Sequence, residues 1–254
     1  MPHIDLSITD YVATLTLNRP EKLNAVTPEM TDEIRGIAQT INTDPAVRVV
    51  ILTGTGKAFC AGSDIKELDT YPTPWAFRDR PDYCDAVRGI RKPVIAAVNG
   101  YAFGGGLELA MSCDIRLAAD TASFAAPEIK LGWIGGGGMA AFLTHSIGPS
   151  NAAKMIYTGD PVDAGQALTW GLVSSLHPMD ELLPAARELA DRIAQRAPIA
   201  AQTGKLNLRA AHSMPLENCI QYERDLQTVT FGTEDAAEGR AAFKQKRHPQ
   251  FNGR

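Results

Sequence analysis

The chain has 254 residues, of which 44% are hydrophobic and 21% charged, and its formal net charge is −4. That is enough apolar material to bury a real core in one large domain or two modest ones. The negative balance gives no reason to expect nucleic acid or an anionic membrane as partner, so an anionic ligand would need a local basic patch.

Ile4 to Asn18 alternates like a strand pair, with Ala13, Leu15 and Leu17 on one side and a hairpin turn expected at Thr9-Asp10. Arg19 to Ala25 reads as a loop. Thr27-Pro28-Glu29 then reads as an N-cap, a first-turn proline and an acidic first turn, followed by Met30, Ile34, Ile37 and Ile41 at helical spacing. Val47 to Leu52 is short and β-branched, as a strand buried on both faces should be. Thr53 to Lys57 turns the chain, and Ala58 to Ile65 leads into a helix. Residues 69–82 hold Pro72, Pro74 and Pro81 with Tyr71, Trp75 and Phe77, and are expected to be irregular. A helix over Tyr83 to Ile90 and a strand over Val94 to Val98 follow. Strand and helix thus alternate, which argues for a mostly parallel sheet with helical crossovers.

Near Ser150 the pattern shifts to helices alone. Asp163-Ala164-Gly165-Gln166 resembles a capping box and Gly171 is placed to end that helix. Asp180 to Ala197 forms another, with Leu182, Leu189, Ile193 and Ala197 on one face and Pro198 closing it. Thr233-Glu234-Asp235 opens the last. The start of the chain shows no basic segment followed by an apolar core, and no apolar run is long enough to span a bilayer, so the expected compartment is the cytoplasm. Cys60, Cys84, Cys113 and Cys219 are far apart, which fits reduced thiols better than disulfides or a zinc site.

The stretch that carries chemistry runs from Asn99 to Glu128. An apolar strand ends in Asn99-Gly100, Gly104, Gly105 and Gly106 follow, and Leu107-Glu108-Leu109-Ala110-Met111 starts a helix. Adjacent glycines let a backbone come close to a ligand, and a helix start leaves N–H groups free at the positive end of the dipole. Amides at Gly105 and near Gly62-Ser63 suit a carbonyl oxygen that becomes an enolate. Glu108 and Glu128 are the acid–base candidates. A glutamate at a helix start also commonly only offsets the dipole, and one after proline commonly sits in a loop, so spacing alone leaves both readings open. Neither glycine run gives the dinucleotide fingerprint, Gly54-Thr55-Gly56-Lys57 is too short for a P-loop, and no Ser lies in G-x-S-x-G. The five histidines show no metal-ligand spacing, so no metal is expected.

Several motifs in order give the chain a family likeness. They are Arg19-Pro20 through Asn24-Ala25, Lys57 through Lys66, Lys92 through Gly100, Gly104 through Ala110, Cys113-Asp114, Pro127-Glu128-Ile129, Leu131-Gly132, Thr158-Gly159 and Gly171-Leu172-Val173. Over essentially its whole length the sequence resembles the crotonase superfamily, and within it the enoyl-CoA hydratases. The resemblance implies an α/β fold, a spiral of ββα repeats over 1–195, followed by a helical C-terminal region over 196–254 used in trimerisation. It implies an acyl-CoA thioester substrate, with coenzyme A arriving as part of the substrate and no separate cofactor, and a homo-oligomer that is a trimer or a dimer of trimers.

By motif position, the resemblance places the Ser63 and Gly105 amides in the oxyanion hole and Glu108 and Glu128 on a water that adds syn across a trans-2-enoyl-CoA. It sets Ala61, Asp64 and Ile65 along the adenine and pantetheine path, Lys22 near the nucleotide phosphates, and Phe243 and Lys246 where a C-terminal segment reaches a neighbouring subunit's CoA. Trp133, Tyr71, Trp75 and Phe77 are candidate acyl-pocket aromatics, with ordinary core packing as the alternative for each. Where hydratases often read Pro-Gly-x-Gly-Gly and then Arg, this chain has Gly135 to Gly138, Met139 and Phe142, a change expected to loosen that loop. The implied role is a lyase of β-oxidation type. A 3-enoyl-CoA isomerase, another lyase of the superfamily, and a non-catalytic acyl-CoA-binding protein are the competing readings.

Overall fold

A computed structural model describes residues 3–254. Two strands, β1 (Ile4–Thr9) and β2 (Val12–Leu17), form the expected antiparallel hairpin and bury Val12, Ala13, Leu15 and Leu17. The turn falls one residue later than expected, at Asp10 and Tyr11, whose φ angles are 50° and 68°. Two consecutive positive φ values give a turn whose twist matches the flanking strands.

Helix α1 (Pro28–Thr43) is capped by Thr27, whose side chain accepts from the Met30 amide at 3.2 Å. Met30, Ile34, Ala38 and Ile41 are buried, while Ile37 is only half-buried at the margin of the core. Gly36 lies on the exposed face, with nothing within 4 Å of where a Cβ would stand. Gly36→Ala is therefore expected to raise stability by about 0.5–1 kcal/mol through helix propensity, read as a higher urea midpoint with an unchanged m-value.

A unit of long strand, short strand and helix then recurs. The first comprises β3 (Val49–Gly54), β4 (Ala58–Cys60) and α2 (Ile65–Leu68), and is followed by α3 (Pro74–Arg78) and α4 (Tyr83–Arg88). The second comprises β5 (Val94–Val98), β6 (Tyr101–Phe103) and α5 (Gly105–Met111). The third comprises β7 (Ile115–Ala119), β8 (Ser123–Ala125) and a 3-10 turn, Pro127–Leu131. Beyond them lie α6 (Met139–Ile147), α7 (Pro149–Thr158), β9 (Val162–Asp163), α8 (Ala164–Trp170), β10 (Ser175–His177) and α9 (Met179–Ala194). Helices α10 (Pro198–Ala210), α11 (Leu216–Phe231) and α12 (Glu234–Gln245) complete the chain.

The long strands build one sheet in the order β1-β2-β3-β5-β7-β10, parallel from β2 onward, and the short ones a second, β4-β6-β8-β9. The chain steps between the sheets once per unit, so it winds as a spiral of α/β class. The stop at Gly171 and the cap at Thr233 are present, and of the capping box one half forms, Asp163 accepting from the Gln166 amide at 2.8 Å. Three further expectations need correction. Strands continue past Ser150, because β9 joins the small sheet and β10 the large one. Pro198 opens α10 instead of closing α9, using the first helical position where a missing N–H costs nothing. Residues 69–82 are not wholly irregular, since Thr73 accepts from the Ala76 amide at 3.0 Å and caps α3.

Two buried asparagines fix the turns that carry the site. Asn24 donates to Thr55 and Ala58 carbonyls at 2.9 and 2.8 Å, and Asn99 donates to Gly56 and Ala58 at 3.1 and 3.2 Å. The turn between β3 and β4 is thereby clamped from both sides. The C-terminal helices are tied on by Lys205, whose buried ammonium meets Asp114 at 2.7 Å and the Lys92 carbonyl at 2.9 Å. No helix among the described residues is long and apolar enough to cross a membrane.

Candidate active site

Gly104 takes φ 57° and ψ −128°, a conformation that a side chain would strain, and it delivers the chain from β6 into α5. A Cβ on Gly106 would lie 1.9 Å from the Cys60 carbonyl oxygen, so only glycine lets the start of α5 press against the end of β4. A Cβ on Gly62 would fall 3.0 Å from the Gly105 nitrogen, which brings the Gly62-Ser63 turn directly onto the Gly104-Gly105 turn. Neither the Ser63 N–H nor the Gly105 N–H donates to a protein acceptor among the described residues. Val26 occupies the other edge of the Ser63 segment, accepting from the Asp64 amide at 2.9 Å and donating to Gly62 at 2.8 Å. That pairing leaves the Ser63 amide facing away from Val26. Two free donors therefore sit in adjacent turns, one at the start of a helix, which is an arrangement for an oxygen that gains negative charge.

Glu108 lies one turn into α5 and is 5% exposed. Its Oε1 accepts from the Gly137 amide at 2.7 Å and the Met139 amide at 3.0 Å, so the carboxylate caps the N-terminus of α6. Its Oε2 has no hydrogen-bond partner among the described residues. Burial raises its pKa above the ordinary 4.5, and the two amides pull the other way. The glycine run that departs from the hydratase pattern has a physical reason here. A Cβ on Gly135 would stand 2.7 Å from Glu108 Oε1, and one on Gly137 would stand 2.8 Å from Oε2. The loop is not loosened as expected. It is held by Glu108 and by Arg88, which donates to the Gly137 carbonyl at 2.8 Å.

Glu128 enters from the 3-10 turn and lies against Gly104. A Cβ on Gly104 would meet its Oε1 at 2.9 Å. Its Oε2 is buried and without a hydrogen-bond partner. An unpaired buried carboxylate oxygen is costly and marks a place where a ligand or water belongs. Burial raises the Glu128 pKa and the charge of Glu108 raises it further. The two carboxylates thus lie close enough for the charge of one to act on the other.

The other expected residues are placed less centrally. Asp64 pairs with Arg19 at 2.8 Å and caps α2, and that pair holds its pKa down. Ala61 is half-buried, its amide donating to Leu23 at 3.0 Å, while Lys22 and Ile65 are exposed beside it. Trp133 is half-exposed, and its amide donates to the Glu128 carbonyl at 3.2 Å. Tyr71 and Phe77 pack edge to face at 5.7 Å. Trp75 is 71% exposed on α3 and does not line the cavity at Ser63. Phe243 is 86% exposed beside Ala197 and Phe251, and Lys246 ends α12 in a left-handed turn, both outside the Ser63 cavity.

Sequence reading missed Tyr83 and the backbone cradle of Glu108. Asp82 caps α4, accepting from the Cys84 amide at 2.6 Å, and so fixes Tyr83 at the first helical position. The phenol is buried and its hydroxyl lies 3.2 Å from Ser63 Oγ. A cavity of about 170 Å³ opens at Ser63 and Tyr83, bounded by Thr27, Asp64, Arg80 and Asp82. No local pattern marks Tyr83, because its partners are 20 and 22 residues away in the chain.

Known proteins resemble this chain over nearly its whole length. A family model described as enoyl-CoA hydratase/isomerase matches residues 7–254. A probable enoyl-CoA hydratase of Mycobacterium tuberculosis is 44% identical over 244 residues, 96% of this chain and 95% of that protein. The mitochondrial enoyl-CoA hydratase of Pongo abelii is 42% identical, over 94% of this chain and 83% of that protein. The crystal structure of an enoyl-CoA hydratase from Bacillus anthracis superposes with a TM-score of 0.93 at 36% identity, covering 99% of this chain and 100% of that one.

Proposed function

We infer function from a plain premise: the chain belongs to the enoyl-CoA hydratase/isomerase family. It is a hydro-lyase that adds water reversibly across the double bond of a 2-enoyl-CoA to give a 3-hydroxyacyl-CoA. The observation that carries the residue-level reading is the buried, unpartnered Oε2 of Glu128, near enough to Glu108 for that charge to act on it.

In this proposal the thioester oxygen lies between the Ser63 and Gly105 amides. Water is held by Glu108 Oε2 and Glu128. As the water oxygen bonds C3, Glu108 takes its proton and charge flows onto the thioester oxygen. Glu128 delivers a proton to C2, so one carboxyl of the pair must begin each turnover protonated, as burial favours. Oxyanion donors fixed before the reaction are typically worth about 3–4 kcal/mol of barrier each. This is acid–base chemistry on a polarised thioester and calls for no cofactor beyond the CoA that the substrate carries. Lys22, Ala61, Asp64 and Ile65 are proposed along the CoA path, with Trp133 near the acyl group.

The working form is proposed to be a homotrimer or a dimer of trimers, in which residues 196–254 pack against a neighbouring copy. Leu208, Leu216, Val229, Phe231 and Phe243 are each more than 60% exposed in the single chain, and such an apolar surface favours burial by another subunit. Phe243 and Lys246 would then complete a neighbour's CoA site. Four cysteines with no disulfide fit the cytoplasm, and the reaction class fits fatty-acid β-oxidation.

The test is direct. Crotonyl-CoA and longer trans-2-enoyl-CoAs are mixed with the protein and the absorbance of the conjugated thioester is followed. It should disappear with turnover. Conversion of 3-enoyl-CoA into the conjugated isomer, with no hydration of the 2-enoyl thioester, would overturn the hydratase reading in favour of an isomerase.

A further inference from the structure

Between the two turns that present free amides stands a hydroxyl pair the mechanism above does not use. Tyr83 is 6% exposed, and its Oη lies 3.2 Å from Ser63 Oγ. The same Oη rests against Gly105, close enough that a Cβ there would fall 2.0 Å from it. The phenol oxygen is thus wedged between the residues whose amides face the reacting carbonyl. The two hydroxyls carry two protons and make one hydrogen bond to each other, with no other partner among the described residues. One proton is left over, beside the place where the thioester oxygen is to sit.

We propose that Tyr83 is a third oxyanion donor, with Ser63 Oγ–H donating to Tyr83 Oη and Tyr83 Oη–H donating to the thioester oxygen. This assignment rests on the hydratase reading of the site. The phenol is the stronger acid of the two hydroxyls and so the better donor to a developing enolate. A chain of two hydroxyls also polarises its terminal proton more than one alone. Burial pushes the Tyr83 pKa well above 10, which keeps the phenol protonated and makes it a donor instead of a base. Its position is imposed by three contacts. Asp82 caps α4 beneath it, Cys84 Sγ–H donates to the Gly105 carbonyl at 3.8 Å, and Ser63 aligns the hydroxyl. Ser63 has two functions in this arrangement: its amide binds the oxyanion and its side chain orients the phenol.

The test compares Tyr83→Phe, Ser63→Ala and the double variant. Phenylalanine keeps the ring and removes the donor, and alanine keeps the Ser63 amide. Tyr83→Phe is expected to lower kcat about 5- to 30-fold with KM within about twofold, since the bond strengthens as charge develops. Ser63→Ala is expected to cost less, and to cost little more once residue 83 is phenylalanine. A second readout needs no turnover. A conjugated aryl-enoyl-CoA is bound to each protein and the red shift of its absorbance, which reports polarisation of the thioester carbonyl, is recorded. The shift should shrink in Tyr83→Phe and shrink less in Ser63→Ala. Unchanged kcat and an unchanged shift, or a rise in KM alone, would make Tyr83 a packing residue and overturn the proposal. If Tyr83→Phe does not fold, Ser63→Ala decides by the same shift. Failure of the parent protein to hydrate any enoyl-CoA, with the shift still dependent on Tyr83, would overturn the hydratase reading and leave the donor assignment standing.

Discussion

Replacing Glu128 with glutamine is expected to lower kcat about 100- to 10,000-fold with KM changed only a few-fold, and Glu108→Gln to fall in the same range. Each loses a proton donor or acceptor that acts in the transition state, while the CoA contacts stay in place. Both pKa values are raised from 4.5 by burial, so the acid limb of the kcat profile should lie above pH 4.5 and report the pair, not either residue alone. The same burial predicts an opposite effect on stability. A carboxyl whose folded-state pKa is raised contributes stability that is present below the unfolded value and is lost as pH rises through the folded one. Glu128→Gln, which removes the charge beside an unpartnered oxygen, should therefore melt higher than the parent at pH 8, and the two should converge as pH falls to 4.5 and below. A Glu128→Gln protein with parental turnover would remove that residue from the mechanism.

How much of this was legible beforehand depends on the range of the interactions. The caps at Thr27, Asp163 and Thr233 are local, three residues across, and the sequence shows them. Strands such as β3 and β5 are short apolar runs and show too. β4, β6 and β8 span three residues each, too few for any period to appear, and they exist because each lies beside the next unit of the spiral. Glu108 and Glu128 stood out as residue types, but their pairing did not, since they stand 20 residues apart and only the folded chain brings their charges together. Tyr83 carried no mark at all. Its significance comes from Ser63 and Gly105, which only the folded chain sets beside it.

The glycine loop shows how a sequence departure can be read the wrong way until its partner is known. Losing a proline and gaining glycines reads as added flexibility, because glycine loses more entropy on ordering than any other residue. The folded chain spends that entropy on a carboxylate: Gly137 and Met139 amides both close on Glu108 Oε1. Gly137→Ala is therefore expected to cost about a hundredfold in kcat. Its Cβ would stand 2.8 Å from Glu108 Oε2 and 3.1 Å from Cδ, so the carboxylate must move, and a displacement of about 1 Å at a reacting group is worth that much. Gly136, one residue earlier, has nothing within 4 Å of the corresponding position. Gly136→Ala makes the same chemical change and the same reduction in chain entropy without touching the glutamate, and should keep turnover within a few-fold. Steady-state kinetics on the two variants, side by side, separates the two accounts. Equal losses would mean that loop flexibility matters, whereas a loss confined to Gly137→Ala means that the loop exists to seat Glu108.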